Sequence, residues 1–105
     1  MAEDDPQIEA LRAKAAVVAG RLSLMADPRR LMILCRLAEG EASAGALAEH
    51  VGLGQSALGR HLARLREAGV VATRREAQAV FYRFDDPETR RLMDALYDVF
   101  CAPDR

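Results

Sequence analysis

The chain has 105 residues, 15 basic against 16 acidic, two cysteines and no tryptophan, a length that admits one domain with one core and excludes a catalytic domain joined to a regulator. Half the residues are apolar and 30% are charged, so a globular chain is expected, and no apolar run approaches the ~20 residues of a membrane span. The acidic start Met-Ala-Glu-Asp-Asp-Pro-Gln carries no secretory pattern, which makes a reducing cytoplasm the expected compartment.

Ile8, Leu11, Ala15, Val18, Leu22 and Met25 recur at spacings of three and four. This predicts a first helix ending near Met25, within 5–25, with a narrow apolar seam of the kind that packs on another helix. Asp27-Pro28 is a cap-plus-proline start for a second helix to about Glu39, with Leu31, Leu34, Cys35 and Ala38 on one face and Gly40 ending it. Ser43 caps a short third helix to about His50. After the turn Val51-Gly52-Leu53-Gly54, a fourth helix runs from Gln55 to Ala68 with Leu58, Leu62 and Leu65 as its buried stripe and Gly69 as its stop. The period then changes to two. Val71, Thr73 and Arg75 on one run and Val80, Tyr82 and Phe84 on the next flank a polar Glu76-Ala77-Gln78 tip, which predicts a hairpin. Asp86-Pro87 opens a last helix to about Cys101, with Met93, Tyr97 and Cys101 in one row.

The predicted fold is mainly α with a small β-hairpin, in the order ααααββα. A short helix, a Gly-containing turn and a longer helix form a helix-turn-helix over 43–68, and the hairpin over 70–84 makes it winged. One domain fills 1–105, its last helix lying within 86–101.

The near-neutral total hides a polarised distribution. From Gly54 to Phe84, six arginines face only Glu67 and Glu76, a net +4, which leaves −5 on the other 74 residues. A charge cluster alone is better read as a solvated face; on a helix-turn-helix it reads as a phosphate-facing surface. The fourth helix offers Gln55, Ser56, Arg60, His61 and Arg64, residue types that bond base edges or phosphates, and Arg74 and Arg75 near the hairpin tip are placed for flanking phosphates. Taken singly, His61 reads more readily as a surface or core histidine than as a DNA contact, and Gln55 and Ser56 also read as residues serving the helix start. Double-stranded DNA is therefore the expected partner, against the rival of a protein-interaction module with a basic face. No nucleophile–base pair or metal set emerges from two histidines, two cysteines and scattered acids, so neither enzyme activity nor a cofactor or metal is expected.

At Leu31-Met32-Ile33-Leu34-Cys35, at Gln55-Ser56-Ala57-Leu58-Gly59-Arg60-His61-Leu62 and at Leu65-Arg66-Glu67-Ala68-Gly69-Val70-Val71, the chain resembles the ArsR/SmtB family of bacterial repressors. The resemblance spans about Leu24 to Cys101 and includes the wing run Thr73-Arg74-Arg75-Glu76-Ala77-Gln78. It implies a homodimer joined through the first and last helices, an inverted-repeat operator and release by an inducer. The family usually has serines where Gly54 and Gly59 stand, and a mid-helix glycine costs roughly 0.5–1 kcal/mol relative to alanine.

Cys35 and Cys101 lie on different helices. From chemistry alone they are small packing residues or a thiol pair. Their placement is similar to that in the persulfide- and reactive-sulfur-sensing (BigR/SqrR-like) branch of the family, and that similarity implies a disulfide or polysulfide bridge that lowers operator affinity. The alternative is a repressor of the same type with inert cysteines, answering to a metal or another inducer.

Overall fold

Three of the helices open on the same dipeptide, Asp–Pro, in which an extended aspartate caps and a proline with pre-set φ begins the first turn. The computed structural model describes residues 5–101. Its elements are α1 (Pro6–Met25), α2 (Pro28–Leu37), β1 (Ala42–Ser43), α3 (Ala44–Val51), α4 (Gln55–Glu67), β2 (Val71–Glu76), β3 (Ala79–Phe84) and α5 (Pro87–Phe100). The helix-turn-helix and the winged hairpin are as the sequence predicts. The added element is β1, two residues that pair antiparallel with β3 (Ala42 opposite Tyr82, Ser43 opposite Phe81), so the hairpin belongs to a three-stranded sheet ordered β1-β3-β2. Two residues are too few for a period-two pattern to register.

Local chemistry sets the boundaries. Asp5 accepts from the Gln7 amide and starts α1 at Pro6; Asp27 accepts from the amides of Arg29 and Arg30; Ser43 accepts from the Ala46 amide at 3.1 Å. α3 stops at Gly52, whose φ of +74° is left-handed, and the amides of Gly52 and Leu53 both return to the Ala48 carbonyl. That turn aims α4 away from α3.

The core is built by Ile33, Leu34 and Leu37 of α2, Leu47 of α3, Leu58, Leu62 and Leu65 of α4, and Val70 and Val71 at the base of the hairpin, with Met93 of α5 against them. The α4 stripe is the expected one. The α2 face is turned from the expected one: Arg30, Ile33, Leu34 and Leu37 are buried, whereas Leu31, Cys35 and Ala38 lie half-buried at its margin. Both rows of α2 are largely apolar, so periodicity alone does not choose between them. α1 contributes only Leu24 and Met25 to the core. Ile8, Leu11 and Leu22 of its seam are exposed, as are Tyr97, Val99 and Phe100 on α5. Among the described residues no helix is long and apolar enough to cross a membrane.

Candidate nucleic-acid interface and thiol pair

α4 is held from beneath by Leu58, Leu62 and Leu65, and these fix which of its side chains face outward. Gln55, Ser56 and Arg60 are exposed, and the row Ser56, Gly59, Ala63, Arg66 runs along the outer surface. The centre of that row is small, so the helix backbone lies close to whatever it meets. Gly54, the N-cap, has no side chain to accept a bond from the first turn. The leading amides and the positive end of the helix dipole therefore face outward without a side-chain cap.

Two of the predicted α4 residues sit to one flank. Arg64 is exposed but lines a cleft with Gly20, Arg21, Ser23 and Leu24 of α1. His61 is half-buried, its Nδ1 3.4 Å from Nη1 of Arg30. Arg30 itself, 8% exposed, carries no mark in the sequence pattern. Its Nε donates to the Leu24 carbonyl at 2.7 Å and its Nη2 to the Ser23 carbonyl at 3.4 Å. A cation at the end of α1 complements its dipole and adds a donor to the last-turn carbonyls, of which that of Ser23 also accepts from the Ala26 amide. One buried guanidinium thus joins the last turn of α1 to the side of α4. No short-range sequence signal announces this, because the partners lie in three separate helices.

On the wing the two arginines part company. Arg75 is exposed near the hairpin tip. Arg74 is also exposed, yet it is held within the chain by Glu41 and Glu76, and its guanidinium lies 4.5 Å from the Phe81 ring centroid. The Arg74 hydrogen bonds hold the Glu41 carboxyl below the usual carboxylate range.

A second polar cluster ties α1 to α5. The Asp86 side chain, 13% exposed, accepts from Arg21 Nε at 2.8 Å and from the Thr89 hydroxyl. Burial alone pushes this carboxyl up, but the Thr89 and Arg21 hydrogen bonds outweigh it and hold it below the ordinary value. Asp86 therefore serves α1 as well as its own helix.

Cys35 is half-buried on α2 and packs against the core, and Cys101 is exposed at the end of α5, its amide donating to the Tyr97 carbonyl at 2.8 Å; both are free thiols. Tyr97, one turn before Cys101 in the same row, is 56% exposed. Among the described residues no three His, Cys, Asp or Glu side chains gather as a metal site.

Residues 27–73 match the family described as "Bacterial regulatory protein, arsR family". The chain is 45% identical over 97 residues to the Biofilm growth-associated repressor of Agrobacterium fabrum, a match covering 92% of this chain and 83% of that protein. Among solved structures, the transcriptional repressor BigR from Xylella fastidiosa superposes with a TM-score of 0.85 at 42% identity, covering 90% of this chain and 96% of that one. Reduced HlyU from Vibrio cholerae superposes with a TM-score of 0.79 at 44% identity, covering 91% and 98%.

Proposed function

The chain belongs to the ArsR family of bacterial regulatory proteins, and from that membership we propose that it is a dimeric transcriptional repressor whose hold on an inverted-repeat operator is released by bridging Cys35 to Cys101. The observation that carries the DNA-binding part is the outer surface of α4, polar, small at its centre and without a side-chain cap at its N-terminus, beside a wing bearing arginine. In this reading α4 enters the major groove. Gln55, Ser56 and Arg60 meet base edges, the leading amides and Arg64 meet phosphate, and Arg75 on the wing meets the flanking backbone. His61 contributes by seating α4 against Arg30. Two copies pair through the apolar surfaces of α1 and α5, which sets two α4 helices roughly 34–36 Å apart, one helical turn of DNA.

The thiol part is supported by the two free thiols, Cys35 on α2 and Cys101 at the C-terminal end of α5, and by the likeness to a relative whose structure is described in its reduced state. One thiolate attacks the sulfane sulfur of a persulfide R–S–SH, expelling the thiol R–SH and leaving a cysteine persulfide. The second thiolate then attacks the cysteine sulfur and expels hydrosulfide, which leaves a disulfide. If both cysteines are first persulfidated, the same attack by one persulfide on the other cysteine leaves a trisulfide and releases hydrosulfide. Each inserted sulfur lengthens the bridge beyond what a direct disulfide spans. A tie between α2 and the end of α5 shifts α5, and with it the spacing of the two reading helices.

Intact-protein mass spectrometry, read beside binding to duplexes selected by the reduced protein, tests this. Persulfide treatment is expected to give an intramolecular bridge and at least about a tenfold loss of affinity, ~1.4 kcal/mol. Cys35→Ser and Cys101→Ser proteins are expected to stay bound. Release of these variants as readily as wild type refutes the switch and leaves a repressor with inert cysteines; failure of the reduced protein to select any duplex refutes the DNA-binding reading and favours a protein partner for the basic face.

A further inference from the structure

The register of the sheet decides which wing residues share a face. Arg74 stands opposite Phe81, Glu76 opposite Ala79 and Ala72 opposite Arg83, while Ser43 of β1 also pairs with Phe81. These side chains occupy one face of the sheet. Val71, Thr73, Arg75, Val80, Tyr82 and Phe84 occupy the other, the one whose base is buried in the core. The two neighbouring arginines therefore point to opposite sides.

The order β1-β3-β2 puts Arg74 and Glu41 on opposite edges of the sheet, because Glu41 immediately precedes β1. The Arg74 side chain crosses β3 over the Phe81 ring and grips the Glu41 carboxylate with two nitrogens, Nε at 3.0 and 2.9 Å from its two oxygens and Nη2 at 2.8 Å; Nη1 holds Glu76 at 2.8 Å. All three guanidinium nitrogens are engaged. An isolated exposed ion pair contributes little, but a two-nitrogen grip stacked on an aromatic ring is fixed in geometry. The strand it reinforces, β1, has only two residues to attach the hairpin to the rest of the chain.

We propose that Arg74 is a positioning residue of the wing and not one of its phosphate ligands: strapped across the sheet to Glu41, it sets the angle at which the hairpin carries Arg75. This rests on the DNA-binding reading and assigns the two wing arginines different work.

Arg74→Ala and Glu41→Gln change the local charge in opposite directions, so a purely electrostatic role predicts opposite effects on DNA affinity. A strap predicts the same effect. Using a duplex selected from a random pool by the wild-type protein, both variants are expected to bind about fivefold more weakly, with the salt dependence unchanged and the double variant no worse than either alone. Arg74→Lys, which keeps the charge but not the fork, is expected to behave like Arg74→Ala. Arg75→Ala is expected to flatten the log–log salt slope by about 0.9 for each phosphate that Arg75 neutralises. Without DNA, amide exchange in β2 and β3 is expected to quicken in Arg74→Ala and Glu41→Gln alike. Tighter binding by Glu41→Gln, or a flattened slope in Arg74→Ala with retention in Arg74→Lys, overturns the proposal and makes Arg74 a phosphate ligand masked by Glu41. The exchange arm stands apart from the DNA-binding reading: if that reading fails because no duplex is selected, unchanged β2 and β3 exchange in both variants still overturns the strap.

Discussion

Two glycines shape α4. Gly54 starts α4 in ordinary extended geometry (φ −70°, ψ 168°), and a Cβ built at Gly54 or Gly59 meets nothing within 4 Å. Neither position requires glycine for backbone or packing reasons. Gly59→Ala is therefore expected to stabilise the protein by about 0.5–1 kcal/mol in urea unfolding, and Gly54→Ser to add a few tenths more by supplying a cap. If α4 lies against DNA, the methyl added at Gly59 falls in the middle of its outer row, and the same variant is expected to lose operator affinity while gaining stability. A gain in both would show that the row keeps its distance from the groove. The glycines and their mid-helix cost are legible in the sequence; the open space around them is not, because it depends on which side of α4 the core takes.

At the scale of elements, the clasp of Arg21 on Asp86 joins α1 to the start of α5 across the exit of the wing. The folded state favours the carboxylate, since the Asp86 value is lowered below that of the unfolded chain. Its contribution is complete above the ordinary carboxylate range and is lost as pH falls through the lowered folded value. Asp86→Asn is expected to cost about 1–2 kcal/mol near neutral pH, and the gap between variant and wild type is expected to close as the solution is acidified through that range; urea midpoints measured across pH check this. A gap independent of pH would mean that the side chain acts through shape rather than charge. Asp86-Pro87 reads in the sequence as a helix start, and it is one, but the aspartate side chain turns to Arg21 and Thr89 instead of a first-turn amide. Likewise the α4 stripe follows from spacing alone, whereas the rotation of α2, the Arg30 junction and β1 depend on partners distant in sequence. Patterns of three, four and two residues report an element's own faces. They carry no information about a guanidinium that spans three helices.

The whole molecule is longer than one domain of its size needs to be. Its radius of gyration is 15.8 Å and its extents are 56 × 34 × 21 Å, against a radius of about 13 Å for a compact chain of 100 residues. Outside the core, α1 carries Leu11, Val17 and Leu22 in solvent, and α5 leaves Val99 (68% exposed) and Phe100 (78%) bare at its far end. This is the apolar surface that a second copy would cover in the proposed pairing. Thermal unfolding is accordingly expected to depend on concentration, the midpoint rising by a few degrees for each tenfold increase in protein; a midpoint indifferent to concentration would indicate a stable monomer.

The order of α1 and α5 along the chain also bears on synthesis. As the polypeptide leaves the ribosome, α1 emerges before the other elements described. Leu24 and Met25 find a seat once α2 follows, but Arg21 waits for Asp86, 65 residues later. For most of translation the front of the helix is an unclaimed arm, and the neighbours within its reach are the other nascent chains on the same message. If two copies pair as proposed, pairing between sister chains has a head start over closure of each chain on itself, and subunits born together are the ones most apt to stay together.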